Sequence, residues 1–193
     1  MNAGGWIFRR FTVGRYPING YLLADRSTGV GAFVDPGGWR DEIGAFIESQ
    51  GVELRHILFT HGHWDHTEGL VEFGRRYAVQ CWAGVDEVRA ASRVLHGGET
   101  IEIGRQVVRV FSTPGHTAGG VSYWAGDRVF TGDALFCGSV GGTDSAEAAR
   151  GQVEAVRAHI FSLPDDTLVL PGHGPMSTVA AERYGNPFFR KGF

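Results

Sequence analysis

The chain is poor in cysteine, in surplus charge and in long apolar runs. Two cysteines, Cys81 and Cys137, occur in 193 residues. Two are too few for a disulfide framework and fit a reducing compartment, so a cytoplasmic protein is expected. Lys and Arg number 18 against 21 Asp and Glu, a formal charge of -3. That balance gives no basic surface for nucleic acid and no cationic run for a lipid headgroup layer. No stretch reaches the run of about 18 apolar residues that a membrane span needs. The first ten residues contain Trp6, Ile7 and Phe8 but not the longer apolar segment of a secretory leader. With nucleic acid and membrane set aside, the expected partner is a small-molecule substrate.

Glycine and apolar residues are what the chain does have. Hydrophobic residues make up 42%, enough for a core. Charged residues are 20%, slightly under the globular norm of about 25%, and disorder is not suggested. Glycine occurs 30 times, about twice its usual share. The glycines gather in short clusters, among them Gly37-Gly38, Gly119-Gly120, Gly141-Gly142 and the pair Gly172 and Gly174. Tight loops around one site would use glycine this way, and so would many ordinary turns.

Hydrophobic periodicity divides the chain into short elements. Residues 8–13, 20–24 and 31–34 read as strands, stopped by Asp35-Pro36-Gly37-Gly38. Ile43, Phe46 and Ile47 fall at helical spacing within residues 40–50, and Gly51 is placed to cap that helix. Residues 54–60 read as a buried strand running into His61. Further on, helices are predicted over 69–77, 85–95 and 146–162, and strands over 79–82, 106–112, 121–124, 128–131 and 168–170. Strand-rich halves with interspersed helices predict a layered α/β fold. With no repeat and no linker in between, one domain over 1–193 is expected.

The chemistry is concentrated in His61-Gly62-His63-Trp64-Asp65-His66, three imidazoles and a carboxylate within six residues. Polar groups crowded at the end of an apolar strand are costly to bury unless something binds them. Imidazole and carboxylate are the usual ligands of zinc and related ions. His61 and His63 are two apart and share a face if the backbone is extended. Asp65 and His66 follow a turn and can serve a second position. One ion takes about four ligands, so four donors here, with more downstream, favour two ions.

The cluster resembles the His-x-His-x-Asp-His signature of the metallo-β-lactamase superfamily. Thr113-Pro114-Gly115-His116-Thr117, Phe130-Thr131-Gly132-Asp133 and Leu170-Pro171-Gly172-His173-Gly174 resemble that family's later motifs, in the expected order, and Asp35-Pro36-Gly37 matches its early Asp-x-Gly turn. The resemblance runs from about residue 13 to residue 187. It implies a four-layer αββα sandwich. It also implies one metal site of His61, His63 and His116, another of Asp65, His66 and His173, and Asp133 bridging both. Two divalent ions are expected, zinc first, with iron or manganese also compatible with such ligands. A water shared by two such ions has its pKa lowered toward roughly 7 and becomes the attacking hydroxide. Asp65 and Asp133 are the expected catalytic carboxylates, with Asp65 able to shuttle a proton. Asp35 is expected either to orient a ligating imidazole or simply to form a turn.

Residues 132–144 and the tail Glu182-Arg183-Tyr184-Gly185-Asn186-Pro187-Phe188 are similar to the glyoxalase II branch, which hydrolyses hydroxyacyl-glutathione thioesters. The chain departs from that branch at Gly142, where a basic residue is common, and at Gly174-Pro175, where a tyrosine follows the last histidine loop. The short glyoxalase II-like proteins are the nearest match, and thioester or ester hydrolysis is the expected activity. A related branch oxidises glutathione persulfide with one iron, which would use His61, His116 and Asp133. A non-catalytic metal-binding or sensor protein is the reading from another class. A diiron oxygen-reducing role is disfavoured because that branch carries Glu at the position of His63. His56, His96 and His159 fall outside every motif. Cys81 reads as a core residue, and Cys137, four residues after Asp133, either as a small core residue or as a thiol able to modulate the metal or be oxidised. Trp64 reads either as part of the substrate mouth or as packing beneath its loop, and Phe136, Phe188 and Phe189 as pocket wall or core.

Overall fold

Strand β2 (Ile18–Asp25) is buried along its whole length, and its alternating side chains serve two different cores. Tyr21 and Leu23 point into one cluster, Leu22 and Ala24 into another, as the period of two requires. The same division repeats across the molecule and produces four layers. A computed structural model describes residues 5–190; residues 1–4 and 191–193, the ends of the expected domain, lie outside the described residues.

The first sheet is built from β1 (Trp6–Val13), β2, β3 (Val30–Val34), β4 (Glu53–Leu58), β5 (Gln80–Gly84) and β6 (Arg93–Leu95), in that spatial order. Its first three strands are antiparallel, and β3 to β6 run parallel. The second sheet holds β7 (Thr100–Ile103), β8 (Gln106–Ser112), β9 (Val121–Ala125), β10 (Arg128–Gly132), β11 (Leu168–Pro171) and β12 (Ser177–Thr178), with β10 and β11 parallel and the other pairs antiparallel. Tyr21, Leu23, Val34 and Leu58 meet Val108, Val110, Tyr123 and Phe130 between the sheets.

Helices cover the outer faces. Helices α1 (Asp41–Ser49) and α3 (Leu70–Arg76) lay Ile43, Ile47 and Phe73 on Phe33 and Ile57 of the first sheet; the short α2 (Trp64–Thr67) precedes α3. Helix α4 (Ala146–Ala155) is capped by the Ser145 side chain, which accepts from Ala148 N–H, and continues as a wider turn over Val156–Ile160. Together with α5 (Val179–Gly185), it packs Val156, Ile160 and Val179 on Val129 and Val169 of the second sheet. This is the expected αββα sandwich. Among the described residues, no helix is long and apolar enough to cross a membrane.

One predicted element is wrong. Residues 85–95 form no helix; a turn with Asp86 at φ 59° leads to β6. Strand β6 pairs in parallel with β5, with Trp82 opposite Arg93 and Gly84 opposite Leu95. Residues 85–92 must make that whole crossover, and a helical crossover takes about a dozen or more. The apolar spacing read as a helix face instead places Val88 and Ala91 against the outer core. Strand β7 and helix α5 are elements that the periodicity reading leaves unassigned. The Thr100–Ile103 run is too short for its alternation to stand out.

The sheets are pinned at both ends. At one end Tyr21 Oη donates to Pro171 O at 2.7 Å, Tyr123 Oη to Phe59 O at 2.7 Å, and Val121 N to Thr60 O at 2.8 Å. At the other end buried Asp25 accepts from Arg105 N at 2.7 Å, from Ser27 N at 2.9 Å and from Thr28 Oγ1 at 2.9 Å. The Arg105 N–H, against the opposing pull of burial, and with Ser27 and Thr28, holds the Asp25 carboxyl well below the usual carboxylate range. A depressed folded-state pKa contributes stability above the unfolded value of about 3.9, which is lost as pH falls through the folded value. Asp25→Asn is therefore expected to lower the melting temperature at pH 7. The gap from the parent protein should close as thermal melts are repeated toward pH 2; a gap constant with pH would count against the linkage.

Candidate metal centre

Five strands deliver polar residues to one edge of the sandwich. Asp35 follows β3, His61 to His66 follow β4, His116 follows β8, Asp133 follows β10 and His173 follows β11. The strands β3 and β4 are parallel to each other, as are β10 and β11, so their C-terminal ends lie together. The β1–β2 turn, with Pro17, returns to the same edge, because Asn19 Nδ2 donates to Pro171 O at 3.0 Å and to Gly174 O at 2.9 Å.

All seven expected ligand residues meet there. His61 Nε2 and His63 Nδ1 are 3.1 Å apart, and His63 Nδ1 and His116 Nε2 are 2.9 Å apart. His66 Nε2 lies 3.4 Å from His173 Nε2, which is 3.2 Å from Asp65 Oδ2. Asp133 stands between the two sets: its Oδ1 is 3.3 Å from His66 Nε2, and its Oδ2 is 3.5 Å from His116 Nε2 and 3.7 Å from His173 Nε2. His61, His63 and His116 form one group of converging donors, and Asp65, His66 and His173 another. His61, His66 and Asp133 are buried.

The hydrogen bonds on the far side of each ring fix which nitrogen faces the centre. His66 Nδ1 donates to Asp35 Oδ2 at 2.9 Å, His116 Nδ1 to Gly142 O at 2.6 Å, and His173 Nδ1 to Pro17 O at 3.1 Å. Carbonyl and carboxylate oxygens only accept, so each of these Nδ1 atoms carries its proton. Thr60 Oγ1 gives its own proton to Asp35 Oδ2 at 2.7 Å and so accepts from His61 Nδ1 at 3.1 Å. Four Nε2 atoms thus turn toward the centre, with His63 Nδ1 among them.

That convergence fits a metal. Ligands about 2.0–2.1 Å from a tetrahedral ion stand about 3.3 Å from one another, which matches the spacings above. Asp133 Oδ1 is buried and has no hydrogen-bond partner, although its charge is close to His66. Burial, then the neighbouring His66 charge, pushes the His61 imidazole down to about 2. Burial also lowers His66, but Asp35 and Asp133 overcome it and lift His66 to about 10. Burial raises the Asp133 carboxyl, and the contact with His66 reverses that, to about 2. An ion taking His66 as a ligand would have to displace a proton from it.

Asp35 is hydrogen-bonded to an imidazole and does more than form a turn. It accepts from Thr60 N at 2.8 Å as well as from Thr60 Oγ1 and His66 Nδ1. Its backbone sits at φ 51°, a left-handed conformation that costs a side-chain-bearing residue on the order of 1–3 kcal/mol. Three hydrogen bonds hold it there. Gly172 is needed for close approach: a Cβ there would lie 2.4 Å from both Asp133 Oδ1 and His66 Cε1. The acceptors Thr60, Pro17 and Gly142 were not predicted, and two of them act through the main chain.

Other expectations are resolved by position. Cys137 is exposed, not in the core. It sits at the tip of a tight turn closed by Phe136 N to Ser139 O at 3.0 Å and Ser139 N to Phe136 O at 3.3 Å, which turns its side chain outward. Cys81 is buried as expected. Trp64 is 55% exposed, edge-on to Tyr16, so it does not pack beneath its loop. The Phe136 ring lies 6.1 Å from His173, whereas Phe189 belongs to the core. His56 accepts from Trp82 Nε1 at 3.2 Å, His159 stacks on Phe111, and His96 is exposed, all away from the centre. Arg183 is occupied by Asp165 and by the Leu163 carbonyl.

Asp35→Asn tests the orienting role. Thr60 N keeps an oxygen acceptor, but an amide NH2 then faces His66 Nδ1. The ring must move its proton to Nε2, toward the centre. Metal affinity of the Asp65–His66–His173 set is expected to fall by about 10–100-fold, measured by competition with a chromophoric chelator. Unchanged affinity would refute the role.

The family model for the metallo-beta-lactamase superfamily matches residues 13–173. A probable metallo-hydrolase of Bacillus subtilis, YqgX, is 30% identical over an alignment covering 94% of this chain and 96% of that protein. The hydroxyacylglutathione hydrolase GloC of Haemophilus influenzae is 27% identical, covering 81% and 86% of the two chains. The crystal structure of ETHE1 from Myxococcus xanthus superposes with a TM-score of 0.85 at 32% identity, over 94% of this chain and 83% of that one. The ordered motifs, the four layers and the histidine–aspartate edge agree with these likenesses: the chain belongs to the metallo-β-lactamase superfamily.

Proposed function

We propose that this metallo-hydrolase cleaves a thioester of the hydroxyacyl-glutathione kind, or a related ester, at a two-metal centre. One observation carries the reading. Asp133 reaches both donor groups, with Oδ1 toward His66 and Oδ2 toward His116 and His173. His61, His63 and His116 would hold one divalent ion, and Asp65, His66 and His173 the other, with Asp133 between them. Zinc suits this donor set, and iron or manganese is chemically compatible. The similarity to GloC supports a thioester substrate.

A bound ion pair supplies an acidified water and polarises the scissile carbonyl. The protein's own part is orientation and proton handling. Asp35, Thr60, Gly142 and Pro17 keep the protons of four imidazoles on the outward nitrogens. Asp65 is partly buried and sits 3.2 Å from His173. Its carboxylate accepts the proton released as water adds to the carbonyl and passes it to the leaving thiolate. The C–S bond breaks, one water is consumed, and a carboxylic acid and a thiol leave. Phe136 beside His173, and the exposed Trp64 and Tyr16, offer apolar surface for the acyl group.

Oxygenation of a persulfide at a single iron held by His61, His116 and Asp133 is the competing reading. The second converging set, Asp65 with His66 and His173, favours hydrolysis. Metal-loaded protein is expected to release thiol from a hydroxyacyl-thioester without oxygen uptake. His63→Ala and Asp133→Ala should each lower turnover by about 100-fold or more and weaken metal binding by at least about tenfold, with the circular dichroism spectrum retained. Oxygen consumption with a persulfide and no thiol release from any thioester would reverse the assignment.

A further inference from the structure

The connection between β5 and β6 carries a carboxylate that the centre described above does not use. Glu87 Oε2 accepts from Gly62 N at 2.6 Å, and Glu87 Oε1 accepts from Gly119 N at 2.7 Å. Gly62 lies between His61 and His63, and Gly119 lies three residues after His116. One side chain therefore ties together the two loops that carry the three-histidine set. We propose that Glu87 is a positioning residue for the His61–His63–His116 half of the centre, acting through the two backbones and touching no ion. The proposal rests on the two-metal reading given above.

The geometry favours this role over that of a generic surface anchor. Both bonds are short and charge-assisted, a class roughly twice as strong as neutral hydrogen bonds. Each oxygen serves one loop, so the carboxylate fixes a separation between them and not merely a position of one. Each backbone it holds packs directly on the end of β5 or on the β5–β6 connection. A Cβ on Gly62 would lie 2.0 Å from Glu87 O, and a Cβ on Gly84 would lie 1.7 Å from Gly119 O. Asp86, at φ 59°, turns the chain so that Glu87 N faces Gly84 O at 3.3 Å and the side chain comes between the loops. The distances at stake are the 3.1 Å and 2.9 Å spacings of the three ring nitrogens. Metal–ligand distances tolerate about 0.2 Å, so a small drift of one loop removes a ligand.

The two carboxylates then differ in reach. Asp35 sets the ring of His66 from behind and, through Thr60 Oγ1, that of His61, whereas Glu87 sets the loop-to-loop distance for His61, His63 and His116 alone. Weakening Glu87 therefore leaves the support of His66 in place.

The test is zinc binding by the whole protein, followed by equilibrium dialysis, with the visible spectrum of the cobalt(II) form as a second readout. The parent protein is expected to bind two equivalents. Glu87→Ala should weaken one equivalent by about 10–100-fold, leave the other near its parent value and alter the cobalt spectrum. Glu87→Gln keeps the side-chain length but has a single oxygen, so it can serve only one of the two N–H groups. It should fall between parent and alanine variant, and it decides the matter if the alanine variant does not fold. Two equivalents bound with parent affinity in both variants would overturn the proposal. So would equal weakening of both equivalents in step with a lower melting temperature, which is what a general scaffold role predicts. A parent protein that takes up no zinc or cobalt would instead overturn the metal-centre reading itself, and the proposal with it.

Discussion

Five imidazole nitrogens and the oxygens of two aspartates point at one another across 2.9–3.7 Å. Lone pairs in such an arrangement repel, and at His61, His66 and Asp133 burial removes the water that would screen them. The centre is tolerable only with positive charge in its middle. Asp35 and Asp133, on either side of His66, favour its charged form, which supplies part of it. Divalent ions supply more, and at the spacing that the donors already have. Most of what is unusual in the molecule follows from keeping that unfavourable crowd assembled.

The assembly is held from outside. Each Nε2 aimed inward is matched by an Nδ1–H anchored outward, on Asp35, Thr60, Gly142 or Pro17. These acceptors stand on elements that the fold brings to the edge for its own reasons. Pro17 closes the first hairpin, and Thr60 ends the strand that leads to His61. The inter-sheet bonds from Tyr21, Tyr123 and Val121 lie at the same edge. The packing that stabilises the sandwich and the contacts that orient the imidazoles are thus continuous. A rigid edge is what a site needs if its ligands must keep their positions before an ion arrives.

The readable and unreadable parts of the sequence divide along this line. The fold and the ligand set were legible because each needs particular residue types in a particular order. Strands needed alternating or continuous apolar runs, and the centre needed His and Asp at strand ends. The outward supports were mostly illegible. The Pro17 and Gly142 acceptors are main-chain carbonyls, which every residue carries, so no residue type announces them. Glu87 is an ordinary acidic residue in a loop, and the segment around it read as a helix because Val88 and Ala91 have apolar spacing. Only the parallel register of β5 and β6, invisible in one sequence, rules that helix out. Asp35 is half legible: its motif stands out, but a turn and an orienting carboxylate share the same residues. Cys137 is exposed against the core reading because a small side chain says nothing about which way a tight turn points.

The glycine excess acquires a cause in the same terms. At the edge, backbones approach carboxylates and rings more closely than a Cβ permits, as at Gly172 against Asp133 and His66. The reason is geometric. Seven donors from four loops must reach a volume a few ångströms across, and the loops that carry them cannot also be kept apart by side chains. Removing side chains brings the main chain itself into the supporting shell, where glycine N–H and C=O groups become the partners for Glu87 and His116. Glycine loops would ordinarily add flexibility. Here Gly62 and Gly119 are tied to Glu87, Gly142 to His116 and Gly174 to Asn19, so the freedom that lets the loops converge is withdrawn once they have.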